Sequence, residues 1–175
     1  MFKGTSASAG IGIGKAVIVE EAELVITRNE VADAEAEIQR FKGALEKTIA
    51  ATQKMADDLA SRVGEKEAEI MQGHMMLLSD PMLTGEIESS IRNDKVNCEF
   101  AIENVCNMYA DMFASMGDEL MQQRATDMRD IKVRMQRTLM GLESVDVSLL
   151  PKGSILVAKD LTPSMTAGIN PENVS

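Results

Sequence analysis

Residues 29–144 contain one proline, Pro81, and repeat apolar side chains at helical spacing, which commits most of the chain to helices. Val31, Ile38, Phe41, Leu45, Ile49, Thr52, Met55, Leu59 and Val63 recur every three to seven residues. They mark one stripe on a helix of about eight or nine turns, ended by Gly64. A second helix is expected from Glu65 to Leu78, broken at Ser79, Asp80 and Pro81, where Asp80 can cap and Pro81 can open a short continuation. A third, from about Val96 to Met116, carries Phe100, Val105, Tyr109, Met112 and Phe113. Asp118 can cap a fourth, with the stripe Leu120, Met128, Ile131, Met135 and Leu139 and a stop at Gly141. Long helices with short connections specify an antiparallel four-helix bundle.

The two ends of the chain have a different texture. KAVIVE at 15–20, AELVITR at 22–28 and GSILVAK at 153–159 have strand lengths and β-branched content, so three strands are expected. One sheet can take both ends, with the helical block inserted between them. The chain then divides into 1–28, 29–144 and 145–175.

Charge concentrates in the middle block. Residues 29–144 hold 22 acidic against 13 basic side chains, a net of −9 out of the chain's −10. Such a surface repels phosphate backbones and anionic headgroups, which argues against nucleic-acid and membrane partners, and it attracts a basic protein. Apolar runs are only a few residues long, and Met1 leads into KGTSASAG without the apolar core of a signal peptide, so a cytoplasmic protein is expected. Cys98 and Cys106 stand eight apart on one helix, about 12 Å at 1.5 Å per residue, too far to bond. Without a CxxC or Cys/His cluster they are expected to be reduced core thiols, and no metal site is expected.

Several motifs admit two readings. AGIGIGKA fits neither the dinucleotide fingerprint nor the Walker loop, because Lys15 is followed by Ala16; glycines turning into a strand account for it better. GHMMLLSDP at 73–81 holds the only histidine, His74, which could accept a phosphoryl group, act as a base or form a surface contact. On a helix it shares a face with Ile70, Met71, Leu77 and Leu78, and no carboxylate stands three or four residues away to orient the ring. Packing or contact is therefore the better reading.

Ile70, Met71, Met75, Met76, Leu77, Leu78, Met82 and Leu83 exceed what one helical face can bury, so part of this surface should stay outside, rimmed by Glu65, Glu67, Glu69 and Asp80. A loosely packed core is the competing account. Arg124, Asp127, Arg129 and Asp130 in QQRATDMRDI read as a solvated charged face. In DLTPSMTAG, Thr162 can cap and Pro163 can open a short helix.

Four segments in order, GTSASAGIGIGKA, GHMMLLSDPML, RATDMRDI and ILVAKDLTPSMTA, resemble the N-terminal part of Enzyme I of the bacterial sugar phosphotransferase system, a phosphoenolpyruvate-protein phosphotransferase. The resemblance runs along nearly the whole chain. It implies an α/β phosphohistidine domain with a four-helix HPr-binding domain inserted into it. It also implies transfer of a phosphoryl group from phosphoenolpyruvate, through an active-site histidine, to a histidine of the carrier HPr.

In the family the active histidine lies in a GGxTSH motif downstream of DLTPS, and no such motif occurs up to Ser175. The active histidine is therefore expected beyond Ser175, and the chain is expected to be inactive alone. Phosphoenolpyruvate and Mg²⁺ would bind a C-terminal barrel, leaving this chain without a cofactor. By the same resemblance, Glu65, Glu69, Ile70, His74, Met76, Leu77, Leu83 and Arg124 match the HPr-docking surface, and Thr166 matches the contact of the active histidine. Lys66 and Glu69 stand where better-known relatives carry Glu and Ala. The start at the strand region, with no sensory domain ahead of it, favours the sugar branch over the nitrogen-related paralogue. Full-length relatives dimerise through the C-terminal region, so a monomer is expected here. The competing function is a non-catalytic acidic helical adaptor that holds a basic protein.

Overall fold

The computed structural model describes residues 9–19, 23–142, 147–170 and 172–174. Among them five long helices follow a first strand: β1 (Lys15–Val19), α1 (Ala34–Arg62), α2 (Glu65–Leu78), α3 (Pro81–Asp94), α4 (Cys98–Ser115) and α5 (Glu119–Met140). A 3₁₀ turn at Val147–Leu149, β2 (Ser154–Ala158) and a six-residue α6 (Pro163–Gly168) complete the order.

Local chemistry sets the helix boundaries. Asp33, Asp80, Asp118 and Thr162 each accept a hydrogen bond from a first-turn N–H of the helix that follows, satisfying donors the helix itself cannot. Pro81 and Pro163 occupy first turns, where the missing N–H costs nothing. Gly141 ends α5 with a left-handed φ of 66° that most side chains resist.

The expected short continuation after Pro81 is a full helix of 14 residues, equal in length to α2. The bundle's second leg is therefore broken in two, and five helices supply four legs. Two residues join α1 to α2 and three join α4 to α5, so each pair folds back on itself. Ile38 and Phe41 of α1, Leu78 of α2, Leu83, Ile87 and Ile91 of α3, Ile102 of α4 and Ile131 and Met135 of α5 form one buried core. Cys98 and Cys106 lie in it as free thiols, and burial pushes Cys106 up to about 12, which keeps it protonated and inert. Leu120, expected in the α5 stripe, is exposed, because it sits in the first turn before the helix enters the core.

β1 and β2 pair in parallel with Lys15 opposite Ser154 and Val19 opposite Ala158, so the two ends of the chain meet with all five long helices between them in sequence. A Cβ on Gly14 would stand 2.1 Å from the carbonyl oxygen of Gly153, the same oxygen that accepts the Lys15 N–H at 3.0 Å. Glycine is needed there for backbone approach, which accounts for part of AGIGIGKA without a phosphate.

The expected strand AELVITR does not form over its described residues, 23–28. Among the described residues β1 has only β2 as a neighbour, and a strand without a partner leaves its N–H and C=O groups unpaired. The segment instead leads to an isolated antiparallel bridge, Glu30 with Val96, that ties the entry of α1 to the α3–α4 connection. No helix among the described residues is long and apolar enough to cross a membrane.

Candidate docking face and the buried histidine beneath it

The elbow between α2 and α3 presents two surfaces. Inward, Met71, Leu78 and Leu83 are buried, Met71 against Ala56, Leu59 and Ala167 and the two leucines in the main core. Outward, Ile70, Met76 and Met82 are 53%, 71% and 73% exposed, with Leu77 half-buried beside them. Helical geometry imposes this split, since 14 residues offer one inward stripe and the apolar run exceeds it. Glu65 and Glu69 are exposed on the same helix, while the carboxylate of Asp80 is spent on capping α3, accepting the Met82 N–H at 2.8 Å. The side chain of Glu67 lies outside the described residues.

Two expected surface residues are not at the surface. Leu83 is 2% exposed and belongs to the core, one turn inside the helix that Asp80 caps. His74 is fully buried, so it cannot itself touch a partner in this conformation.

Nor is the imidazole without partners. Nε2 lies 3.2 Å from Asp127 Oδ1 and Nδ1 lies 3.5 Å from Asp130 Oδ2, both carboxylates coming from α5. Spacing along α2 could not show them, because they reach the ring from another helix. A ring whose two nitrogens face two carboxylates can donate to both only with both nitrogens protonated. The second approach is imperfect: His74 Nδ1 and Asp130 Oδ2 are buried without a hydrogen-bond partner among the described residues.

The α5 motif thus divides differently from the solvated face expected of it. Arg129 is exposed, whereas Asp130 is buried and Asp127 turns toward His74. Arg124 is half-buried and lies across Gly73, where a Cβ would meet its Nη1 at 2.8 Å. Its Nη1 is 3.8 Å from Asp127 Oδ2. A glycine immediately before the histidine therefore lets the arginine lie flat over α2.

Asp130 has a second contact. Its Oδ1 accepts the Ser164 hydroxyl at 2.8 Å, and Ser164 Oγ lies 3.0 Å from Thr162 Oγ1, the cap of α6. Sequence reasoning misses the inward roles of Asp127, Asp130 and Ser164. The available signal is two carboxylates three residues apart beside the apolar stripe Met128, Ile131, Met135, where polar groups have reason to be paired inward.

Thr166 is exposed, with its hydroxyl donating to the Thr162 carbonyl at 3.0 Å. The active histidine expected to contact it falls beyond Ser175, outside the described residues. Beside α6 lies a cleft of about 310 Å³ whose lining includes Lys54, Arg62, Arg134, Thr162 and Ser164. Arg134 donates to Thr52 Oγ1 at 2.6 Å; burial lowers its pKa and the charge of Asp130 opposes that.

Glu37, Cys98 and Glu99 bring ligand-type atoms within 4.8 Å of one another, but Arg40 donates to all three, so a cation already fills the space. These side chains do not fit a metal ion.

Comparison with known proteins places the chain. Residues 3–124 match the family model described as PEP-utilising enzyme, N-terminal. Phosphoenolpyruvate-protein phosphotransferase of Bacillus subtilis is 39% identical over 99% of the chain, and that of Listeria monocytogenes 40% identical over 97%. The chain spans 30% of the length of either relative. A solution structure of Enzyme I (nEIt) superposes with a TM-score of 0.88 at 36% identity, covering 99% of this chain and 71% of that one. The N-terminal domain of Enzyme 1 - Nitrogen shares the fold, with a TM-score of 0.69 at 24% identity, over 94% of this chain and 68% of that one. With an outward apolar elbow, a helical block between paired strands and these likenesses in hand, the chain belongs to the PEP-utilising enzymes, as the N-terminal part of a phosphoenolpyruvate-protein phosphotransferase of the Enzyme I type.

Proposed function

We propose that the α2–α3 elbow is the docking face for HPr, the small phosphocarrier, and that the full enzyme of which this is the N-terminal part passes it a phosphoryl group taken from phosphoenolpyruvate. The observation that carries this reading is Ile70, Met76 and Met82 standing in solvent over a helix pair whose other face is fully packed. Side chains this apolar cost solvation when exposed, and covering them with a partner recovers it. Glu65 and Glu69 supply the negative rim that steers a basic partner and sets register, while the methionines adapt their shape to it. Arg124, half-buried at the same surface, is a cation of the patch and can take a carboxylate or carbonyl of the partner. Leu83 and His74 support the face from below.

The division 1–28, 29–144 and 145–175 fits the same reading, with the helical block inserted into an α/β phosphohistidine domain. Parallel sheets are ordinarily covered on both faces, yet Ile18 of β1 and Val157 of β2 are exposed on one side of the sheet while Val17, Val19 and Leu156 pack on the other. Further strands and helices of such a domain would cover them. Thr166, exposed on α6, is then available to hold one nitrogen of an active histidine carried beyond Ser175, and Mg²⁺ and phosphoenolpyruvate belong to the rest of the enzyme.

The test is a titration of isotope-labelled chain with HPr. Amide shifts should concentrate on Ile70, Met76 and Met82 and weaken as salt rises through 0.5 M, where screening shortens to a few ångströms, about 4–5 Å. Binding absent at millimolar HPr, or shifts confined to the sheet, would overturn the docking reading.

A further inference from the structure

We infer that His74 is a positioning residue that links the docking face to α6: neither a partner contact nor a phosphoryl acceptor, it relays through Asp130 and Ser164. The outer end of this link rests on the docking reading above; the inner end rests on geometry alone.

One polar path crosses the protein between the two. Arg124, lying on Gly73 at the surface, is 3.8 Å from Asp127; Asp127 is 3.2 Å from His74 Nε2; His74 Nδ1 is 3.5 Å from Asp130; and Asp130 accepts from Ser164 at 2.8 Å. Ser164 Oγ is 3.0 Å from Thr162 Oγ1, which also accepts the Met165 N–H and so caps the helix that presents Thr166. His74, Asp130 and Ser164 are all buried, so the inner steps are shielded from water and strengthen in the low-dielectric interior.

The histidine is also placed to feel the docking face mechanically. It lies between exposed Ile70 and Met76 on the same helix, and Met71, just behind it, packs on Ala167 of α6. A shift of α2 on docking must therefore alter the apolar contact and the polar path together.

The weak point of the path explains how it can switch. His74 Nδ1 and Asp130 Oδ2 are buried, close to each other and not hydrogen-bonded. A small movement of α2 or α5 makes or breaks that bond, whereas a saturated network would have no second arrangement to adopt.

His74 is the chain's sole histidine, so its ring gives a single, unambiguous imidazole Cε1–H resonance in the labelled full chain. Without any partner, Ser164→Ala should shift that resonance, and His74→Gln should shift the amides of Ser164 and Met165. Read on the Met165 amide, which both single variants keep, the double variant should show less than the sum of the two, while Thr166→Ala, on the exposed side of the same helix, leaves the imidazole where it was. An imidazole unmoved by Ser164→Ala, or effects that simply add, would overturn the inference. Should His74→Gln fail to fold, Asp127→Asn perturbs the same ring from its other nitrogen and is read on the same amides.

A second arm adds HPr. In the unsubstituted chain HPr should move the Ser164 amide; in His74→Gln it should still move Met76 but no longer Ser164. If HPr moves nothing, the docking reading fails, and the first arm still decides the fate of the relay. If Ser164 responds equally in both chains, the signal bypasses His74 and the inference is wrong.

Discussion

Two of the clusters of ionisable side chains in the helical block, those around Arg40 and His74, are built on opposite principles. Around Arg40 the network is closed: the guanidinium donates to Glu37 and Glu99, Glu37 also takes the Cys98 N–H at 2.8 Å, and Asn97 donates to Glu99 at 3.0 Å. Around His74 it is open: two carboxylates face one ring, and a ring nitrogen and a carboxylate oxygen lie buried without a hydrogen bond. The first joins α1 to the start of α4 and stabilises the fold. The second leaves polar groups desolvated and unmatched, an arrangement that stability alone does not favour and that a moving part can use.

The largest effect that distinguishes them should come from Asp130→Ala. It removes the carboxylate that accepts the Ser164 hydroxyl and faces His74 Nδ1, leaving Ser164 with Thr162 and the ring with Asp127, and about 3 kcal/mol of stability should be lost in urea unfolding. Asp130→Asn keeps an oxygen for Ser164 and should cost about 1 kcal/mol. A loss under about 1 kcal/mol for the alanine variant would mean that water satisfies the pocket and that the two clusters do not differ as described.

Next in size, Arg40→Ala should cost about 1–2 kcal/mol at neutral pH. Burial raises the Glu99 carboxyl, but hydrogen bonds from Arg40 and Asn97 and the arginine's charge outweigh it, so its pKa lies below the ordinary carboxylate range. A group whose folded pKa is depressed contributes stability above its unfolded pKa and loses it as pH falls through the folded one. The difference between Arg40→Ala and the unsubstituted chain should thus be full at pH 7 and shrink as pH drops below about 4.5. A gap that grows on acidification would contradict the pairing.

Met76→Ala tests the outer face against the inner one. With its side chain in water, the variant should unfold within about 0.5 kcal/mol of the unsubstituted chain, while HPr affinity falls roughly five- to thirtyfold, as loss of about 1–2 kcal/mol predicts. Substantial unfolding would show Met76 to be a packing residue. Smallest of all, a thiol reagent should leave Cys98 and Cys106 untouched in the folded chain at pH 8, since burial holds both thiols protonated, and should modify them on denaturation.

Much of the fold is legible because its causes are local. Asp80 followed by Pro81, Asp118 after Gly117, and Thr162 followed by Pro163 each place a side-chain acceptor where a helix begins, and the caps form at those positions. Where the cause is not local, sequence and structure part. AELVITR has strand composition, but a strand is decided by its neighbour, and among the described residues none pairs with it. The length of α3 depends on Ile87 and Ile91 finding the core, and the inward turn of Asp130 on a histidine more than fifty residues earlier in the chain.

The sequence by itself determined where the capped helices start, how much apolar surface the α2–α3 elbow carries, and which family the chain resembles, since each of these is written in spacing and residue type. Only the tertiary structure decided which part of that elbow meets water and what faces His74. Burial and ion pairing between helices depend on the angle and register at which separate helices pack, quantities that no single helix's period contains.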